Sequence, residues 1–203
     1  MTLVLDPFYL IVDSAAWVRR LVPLGVKLIQ LRIKGESDAA IARQIREAKI
    51  CCEHYGAHLV VNDYWRLAIA EGCTFVHLGQ EDLAGADLAA IRAAGIRLGV
   101  STHDHTELDQ ALSVAPDYVA LGPIYPTVLK QMPWNPQGLS RITEWKQLIG
   151  EIPLVAIGGL TIDRIPGVLA AGADSAAVVT DILRHPDPEH QTRRWIAATR
   201  AIV

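Results

Sequence analysis

The segment GAHLVVNDYWRLAIAEGCTFVHLG, residues 56–79, decides the fold. Gly56 leads into an apolar run, Leu59 to Val61, that stops at Asn62 and Asp63. Helix-like sequence follows, and Gly72 then opens a second apolar run that ends at Gly79. Short, near-continuous apolar runs suit strands buried on both faces, as in a parallel sheet covered by helices. A glycine at the head of each run is where a left-handed residue ends one helix and releases the chain into the next strand. The unit predicted is strand, helix, parallel strand.

The same pattern recurs along the chain: FYLIVD (8–13), GVKLIQLR (25–32), GAHLVVND (56–63), GCTFVHLG (72–79), GIRLGVST (95–102), PDYVALG (116–122), IPLVAIGG (152–159) and GADSAAVVT (172–180). Between these runs lie amphipathic segments such as DAAIARQIREAKICCEHY, DLAAIRAA, HTELDQALSV and IDRIPGVLAA, which read as crossover helices. Eight repeats match a closed (β/α)8 TIM barrel. A doubly wound open sheet is the alternative; it would use fewer parallel strands, and no GxGxxG follows the first of these. One loop, within LGPIYPTVLKQMPWNPQGLSRI, breaks the rhythm and is too long for a routine strand-to-helix connection.

Composition fits that architecture. The chain of 203 residues is 51% hydrophobic but only 6% aromatic, as an α/β core of Leu, Ile, Val and Ala requires. We expect one domain, 1–203, since barrels use such lengths without dividing. A net charge of -3 gives no basic footprint for nucleic acid. Cys51, Cys52 and Cys73 are odd in number and two are adjacent, which predicts no disulfide framework and a reducing, cytoplasmic setting. The opening MTLVLDPFYLIVD lacks the features of a secretory signal, and no apolar stretch reaches membrane-spanning length. Oligomeric state is left open.

In such barrels the active site lies where strands end and the following loops begin. The strand ends supply Asp13, Gln30 with Arg32 and Lys34, Asn62 with Asp63, Gln80 to Asp82, Ser101 with Thr102 and His103, Thr127 with Lys130, Gly158 with Gly159, and Thr180. Asp63 and Asp82 sit on successive loops, where two carboxylates can converge on Mg²⁺ that takes its remaining oxygens from water and a phosphorylated substrate. The plainer alternative is that Asp63 caps a helix and Asp82 lies in a solvated turn. Arg32 and Lys34 alternate along one strand end and can both face the barrel mouth. A second anion site is expected at the AIGGL and VVTDI loops, where backbone N–H groups can cradle a phosphate.

Other tempting features read as structural. Cys51, His54 and His58 have suggestive spacing, but Gly56 should end the helix among them, which disfavours zinc. Asp104 as an N-cap accounts for His103 and His105 without a metal. Trp65 suits helix packing better than a stacking platform. No Ser–His–Asp or Cys–His machine is evident.

The motifs QLRIK (30–34), NDYWRLAI (62–69), VHLGQEDL (76–83), LGVSTHD (98–104), LGPIYPT followed by Lys130 and QMP, QGL (137–139) and VAIGGL (155–160) resemble the thiamine phosphate synthase family, in particular its enterobacterial-type members. The resemblance covers nearly the whole chain. It implies a (β/α)8 barrel that joins 4-amino-2-methyl-5-hydroxymethylpyrimidine diphosphate to a thiazole phosphate, giving thiamine monophosphate and pyrophosphate, with CO₂ lost when the thiazole carries a carboxylate. It also implies that Asp63 and Asp82 hold Mg²⁺, and that Gln30, Arg32, Lys34, Asn62, Ser101 and Lys130 contact the pyrimidine diphosphate. Thr127, Gly159 and the Val179–Thr180 backbone fall on the thiazole-phosphate side. Small phosphorylated molecules are the implied partners, with Arg32, Lys34, Lys130 and Ser101 as the implied catalytic set.

Two positions depart from the family pattern. Leu129 stands where a second threonine is usual in the substrate-binding Thr-x-Thr-Lys, so a hydroxyl is missing before Lys130. The last strand leads into Thr180–Asp181 rather than Ser–Ala, and an inward Asp181 would oppose phosphate. Two other readings stay open: a thiazole tautomerase-like isomerase, although Pro123 rather than His follows Gly122, and a noncatalytic binder of thiamine phosphates.

Overall fold

The computed structural model describes residues 3–127 and 135–201. Eight parallel strands close into a barrel, each paired with its sequence neighbours and the last with the first. They are β1 (Phe8–Val12), β2 (Leu28–Leu31), β3 (His58–Asn62), β4 (Phe75–Leu78), β5 (Arg97–Thr102), β6 (Tyr118–Leu121), β7 (Leu154–Ile157) and β8 (Ser175–Val178). All eight expected runs contain one of these strands. Around them lie α1 (Ala15–Leu21), α2 (Asp38–Tyr55), α3 (Trp65–Ala70), α4 (Gln80–Ala84), α5 (Leu88–Ala93), α6 (His105–Ser113), α7 (Gly138–Ile149), α8 (Ile165–Ala170), α9 (Thr180–Leu183) and α10 (Pro188–Arg200). The open-sheet alternative is excluded by closure of β8 onto β1.

Side chains alternate across each strand and so build two cores. Outward residues such as Leu10, Ile29, Val61, Val76, Val100 and Val119 pack under the helices. Inward residues, including Tyr9, Leu28, Val60, Phe75, Tyr118, Val155 and Ala177, fill the barrel. That packing explains the short helices: six residues of α3 are too few to be stable alone, and buried Trp65 and Ala68 hold them to the sheet.

The punctuation works as its chemistry dictates. Gly56 ends α2 at φ 61°, and its N–H bonds the carbonyls of the last turn. Asp104 caps α6 by accepting from the Glu107 N–H at 2.9 Å. His103 then pairs with Glu107 and His105 with Glu144. Cys52 and Cys73 are buried and all three thiols are free. One expected helix differs in form. The segment from Ile162 opens as a 3₁₀ turn, Ile162–Arg164, before α8, because Pro166 at the second helical position has no N–H to continue the earlier ladder. Among the described residues no helix is long and apolar enough to cross a membrane.

Candidate active site

The mouth of the barrel is a cavity of about 660 Å³. Among the residues lining it are Gln30, Arg32, Lys34, Asn62, Asp63, Asp82, Ser101, Thr127, Gly159, Val179 and Thr180. Every expected site residue that lies within the described chain is therefore on one surface. Leu129 and Lys130 lie outside the described residues.

The turn after β3 answers why an amide and a carboxylate interrupt an apolar run. Asn62 is the last, buried residue of the strand, and Asp63 takes a left-handed backbone at φ 65°. A non-glycine residue held there is strained, and the turn holds it with two bonds: Asp63 N–H to the His77 carbonyl and Trp65 N–H to the Asp63 carbonyl. Asp63 does not cap the next helix, whose cap position is Tyr64 and has no side-chain capping bond. Its carboxylate instead pairs with Lys34.

Asp82 sits in the first turn of α4. Partial burial and the facing negative charge of Asp63 raise its carboxyl above the ordinary range, against the opposing pull of Lys34. A carboxylate whose ionisation is made costlier by a second carboxylate beside it is a standing demand for positive charge. Among the described residues no third His, Cys, Asp or Glu completes a cluster. Two hard oxygen donors with the rest left to water and phosphate fit Mg²⁺, whereas zinc would want a fuller nitrogen or sulfur set.

The loops expected to form a second anion site lie across the mouth. Gly158 and Gly159 follow β7 with φ 98° and 66°, so only glycine sits there without strain. A Cβ at Gly159 would fall 2.5 Å from the Pro126 carbonyl oxygen, which shows how closely the sixth and seventh loops approach. Arg164 donates to the Gly159 carbonyl and stacks over Tyr125 at 4.2 Å, holding that loop from outside. Asp181 does not enter the cavity: its carboxylate accepts from Gln191 at 2.8 Å and Trp195 at 2.7 Å, tying α9 to α10. The feared repulsion of phosphate is absent for that reason.

Three polar residues of the site escape a reading of strand ends because they lie one layer below. Tyr9, His77 and Tyr118 are buried inside the barrel, beneath Gln30 and Ser101. Their one sequence signal is polarity at inward positions of otherwise apolar strands.

The family model described as thiamine monophosphate synthase matches residues 3–182. The chain belongs to the thiamine monophosphate synthase family. A thiamine-phosphate synthase of Rhizobium etli is 65% identical over 195 residues, covering 96% of each chain. That of Cronobacter sakazakii is 50% identical over 188 residues, covering 93% of this chain and 90% of its own. Among solved structures, the thiamine phosphate pyrophosphorylase from Pyrococcus furiosus superposes with a TM-score of 0.87 at 25% identity, over 98% of this chain and 97% of that one. Membership gives the lining its sense: a thiamine phosphate synthase acts on phosphorylated anions, and Arg32 and Lys34 line this cavity.

Proposed function

We propose that this transferase, a thiamine-phosphate synthase, divides its cavity into two halves. The loops after β2 to β5 take the pyrimidine diphosphate, and the loops after β6 to β8 take the thiazole phosphate. The observation that carries this reading is the segregation of charge: Lys34, Arg32, Asp63 and Asp82 stand on the first side, and the glycine-built anion cradle stands on the other.

The reaction breaks the CH₂–O bond of the pyrimidine, and the electron pair leaves with diphosphate. Negative charge grows on the leaving oxygens while the electron-rich ring carries the positive methylene, so catalysis consists mainly in stabilising the leaving anion. Arg32 can grip it in two-pronged fashion and Lys34 as a point charge, with Lys130 as the third cation on the evidence of the sequence. Mg²⁺ held by Asp63 and Asp82 would neutralise further diphosphate charge. Asn62, buried at the base of this half, orients the pyrimidine with Gln30 and Ser101. The thiazole nitrogen then forms the new C–N bond, its phosphate on the Gly159 and Val179–Thr180 backbone with Thr127 alongside, so that binding supplies alignment. Where the thiazole carries a carboxylate, CO₂ departs as well. The protein forms no covalent bond to substrate. We place the reaction in the cytoplasm, with the chain acting as one domain.

The test is formation of thiamine phosphate from both substrates with and without Mg²⁺, read as fluorescent thiochrome, with Leu129→Thr in parallel. Magnesium-dependent product is expected, with the variant raising kcat/KM by about tenfold to a hundredfold as the restored hydroxyl gains one hydrogen bond to a charged group. Binding of both ligands without product from either protein would favour the noncatalytic binder.

A further inference from the structure

A single file of hydrogen bonds runs through the barrel beneath the pyrimidine half. Gln30 Nε2 donates to Tyr9 Oη at 2.9 Å, Tyr9 Oη meets Tyr118 Oη at 2.9 Å, and Tyr118 Oη meets His77 Nδ1 at 3.0 Å. His77 Nε2 then meets Ser101 Oγ at 2.8 Å. Four of the five residues are at least nine-tenths buried, with Gln30, Tyr9, Tyr118 and His77 at 3%, 1%, 0% and 7% exposure. Tyr118, fully buried and off the cavity, must find its hydroxyl's partners within this file.

Counting hydrogens gives the file a direction. An amide NH₂ can only donate, so Tyr9 oxygen accepts from Gln30 and its own hydrogen has Tyr118 as its remaining partner. The Tyr118 hydrogen is then left for His77 Nδ1, which must be bare. A bare Nδ1 puts the imidazole proton on Nε2, which donates to Ser101 Oγ. The Ser101 hydrogen is left over, and Ser101 lines the cavity. Reversing the file would require Gln30 to turn its carbonyl oxygen onto Tyr9. The structure has Nε2 on Tyr9, and that sets the direction.

Gly99 is part of the device. It pairs in register with Tyr118, two residues before Ser101 on β5, and a Cβ at that position would overlap the Tyr118 ring. The missing side chain is what lets the phenol cross the barrel to reach both Tyr9 and His77.

We propose that Tyr9, Tyr118 and His77 are positioning residues that lock His77 in its Nε2–H tautomer and so make Ser101 a one-way hydrogen-bond donor to a lone pair on the pyrimidine diphosphate, with Gly99 as the space they require. This rests on the assignment of that half of the cavity given above. The acceptor is a ring nitrogen or a diphosphate oxygen. The two sources separate by binding of the pyrimidine alcohol and of inorganic pyrophosphate with Mg²⁺ to wild type and Tyr118→Phe: whichever weakens carries the acceptor.

The direct test is ¹⁵N NMR of histidine-labelled protein free of ligand, with the His77 signals assigned by their loss in His77→Gln. The expected result is a bare Nδ1 and a protonated Nε2. Tyr118→Phe, which keeps the ring and removes only the hydroxyl, should give a mixture of tautomers. Its kcat/KM for the pyrimidine diphosphate should fall about tenfold, with KM for the thiazole phosphate unchanged. Gly99→Ala should do the same without deleting any polar atom. A wild-type protein with its proton on Nδ1 would overturn the proposal even if the enzyme is fully active. So would Tyr118→Phe that mixes tautomers yet keeps wild-type kcat/KM.

Discussion

Asp63 carries two burdens at one position, a left-handed backbone and a half-buried negative charge next to Asp82, and in the proposed reaction only the second serves chemistry. Asparagine tolerates that backbone better than most residues, so Asp63→Asn separates the two. The variant should unfold within a few degrees of wild type in a thermal melt, yet lose Mg²⁺-dependent thiamine phosphate formation by at least about a hundredfold. The cysteines show what burial alone does. Burial pushes the Cys52 thiol up to about 12 and the Cys73 thiol up to about 11, from an ordinary value near 9. Their contribution to stability is complete below pH 9 and is lost as pH rises toward those values, because the unfolded chain releases protons that the fold retains. Urea unfolding between pH 7 and 10.5 should show a falling alkaline limb, and Cys52→Ala should lower stability throughout but flatten that limb; an equal slope in both would contradict this origin.

Strands were the most legible elements, because each is an apolar run announced by Gly or Pro and closed by polar residues or glycine. The long helix α2 was equally clear from its periodicity and its glycine stop. Helices α4 and α9 were not, since five and four residues are too short to show a period. The 3₁₀ turn before α8 was hidden because its composition matches the helix it introduces. The site was legible to the same depth: strand ends gave Arg32, Lys34, Asp63 and Asp82, while Tyr9, His77 and Tyr118 became visible only once register stacked them beneath those ends. The loop after β7 yields a prediction at this scale. Gly159→Ala adds a methyl group to a left-handed turn that already touches Pro126 and Tyr125. KM for the thiazole phosphate should rise tenfold or more, with little change in KM for the pyrimidine diphosphate; equal effects on both would dissolve the division of the cavity.

At the scale of the whole molecule, closure of the barrel brings residues from β2 to β8 to one mouth, though the chain between Gln30 and Thr180 is most of its length. The loops after β7 and β8 form the proposed anion cradle, the helices cover the outer core, and the inner core supplies a hydrogen-bonded floor. The central claim is that this mouth uses Asp63 and Asp82 to carry a divalent cation against the diphosphate. The most direct measurement is a Mg²⁺ titration of thiamine phosphate formation by wild type and Asp82→Ala, with a thermal melt of each. The account predicts saturable activation of wild type, no activation of the variant at any Mg²⁺ concentration, and an unfolding temperature for the metal-free variant no lower than wild type, because a repelling charge has gone. Full Mg²⁺-dependent activity in Asp82→Ala would contradict it.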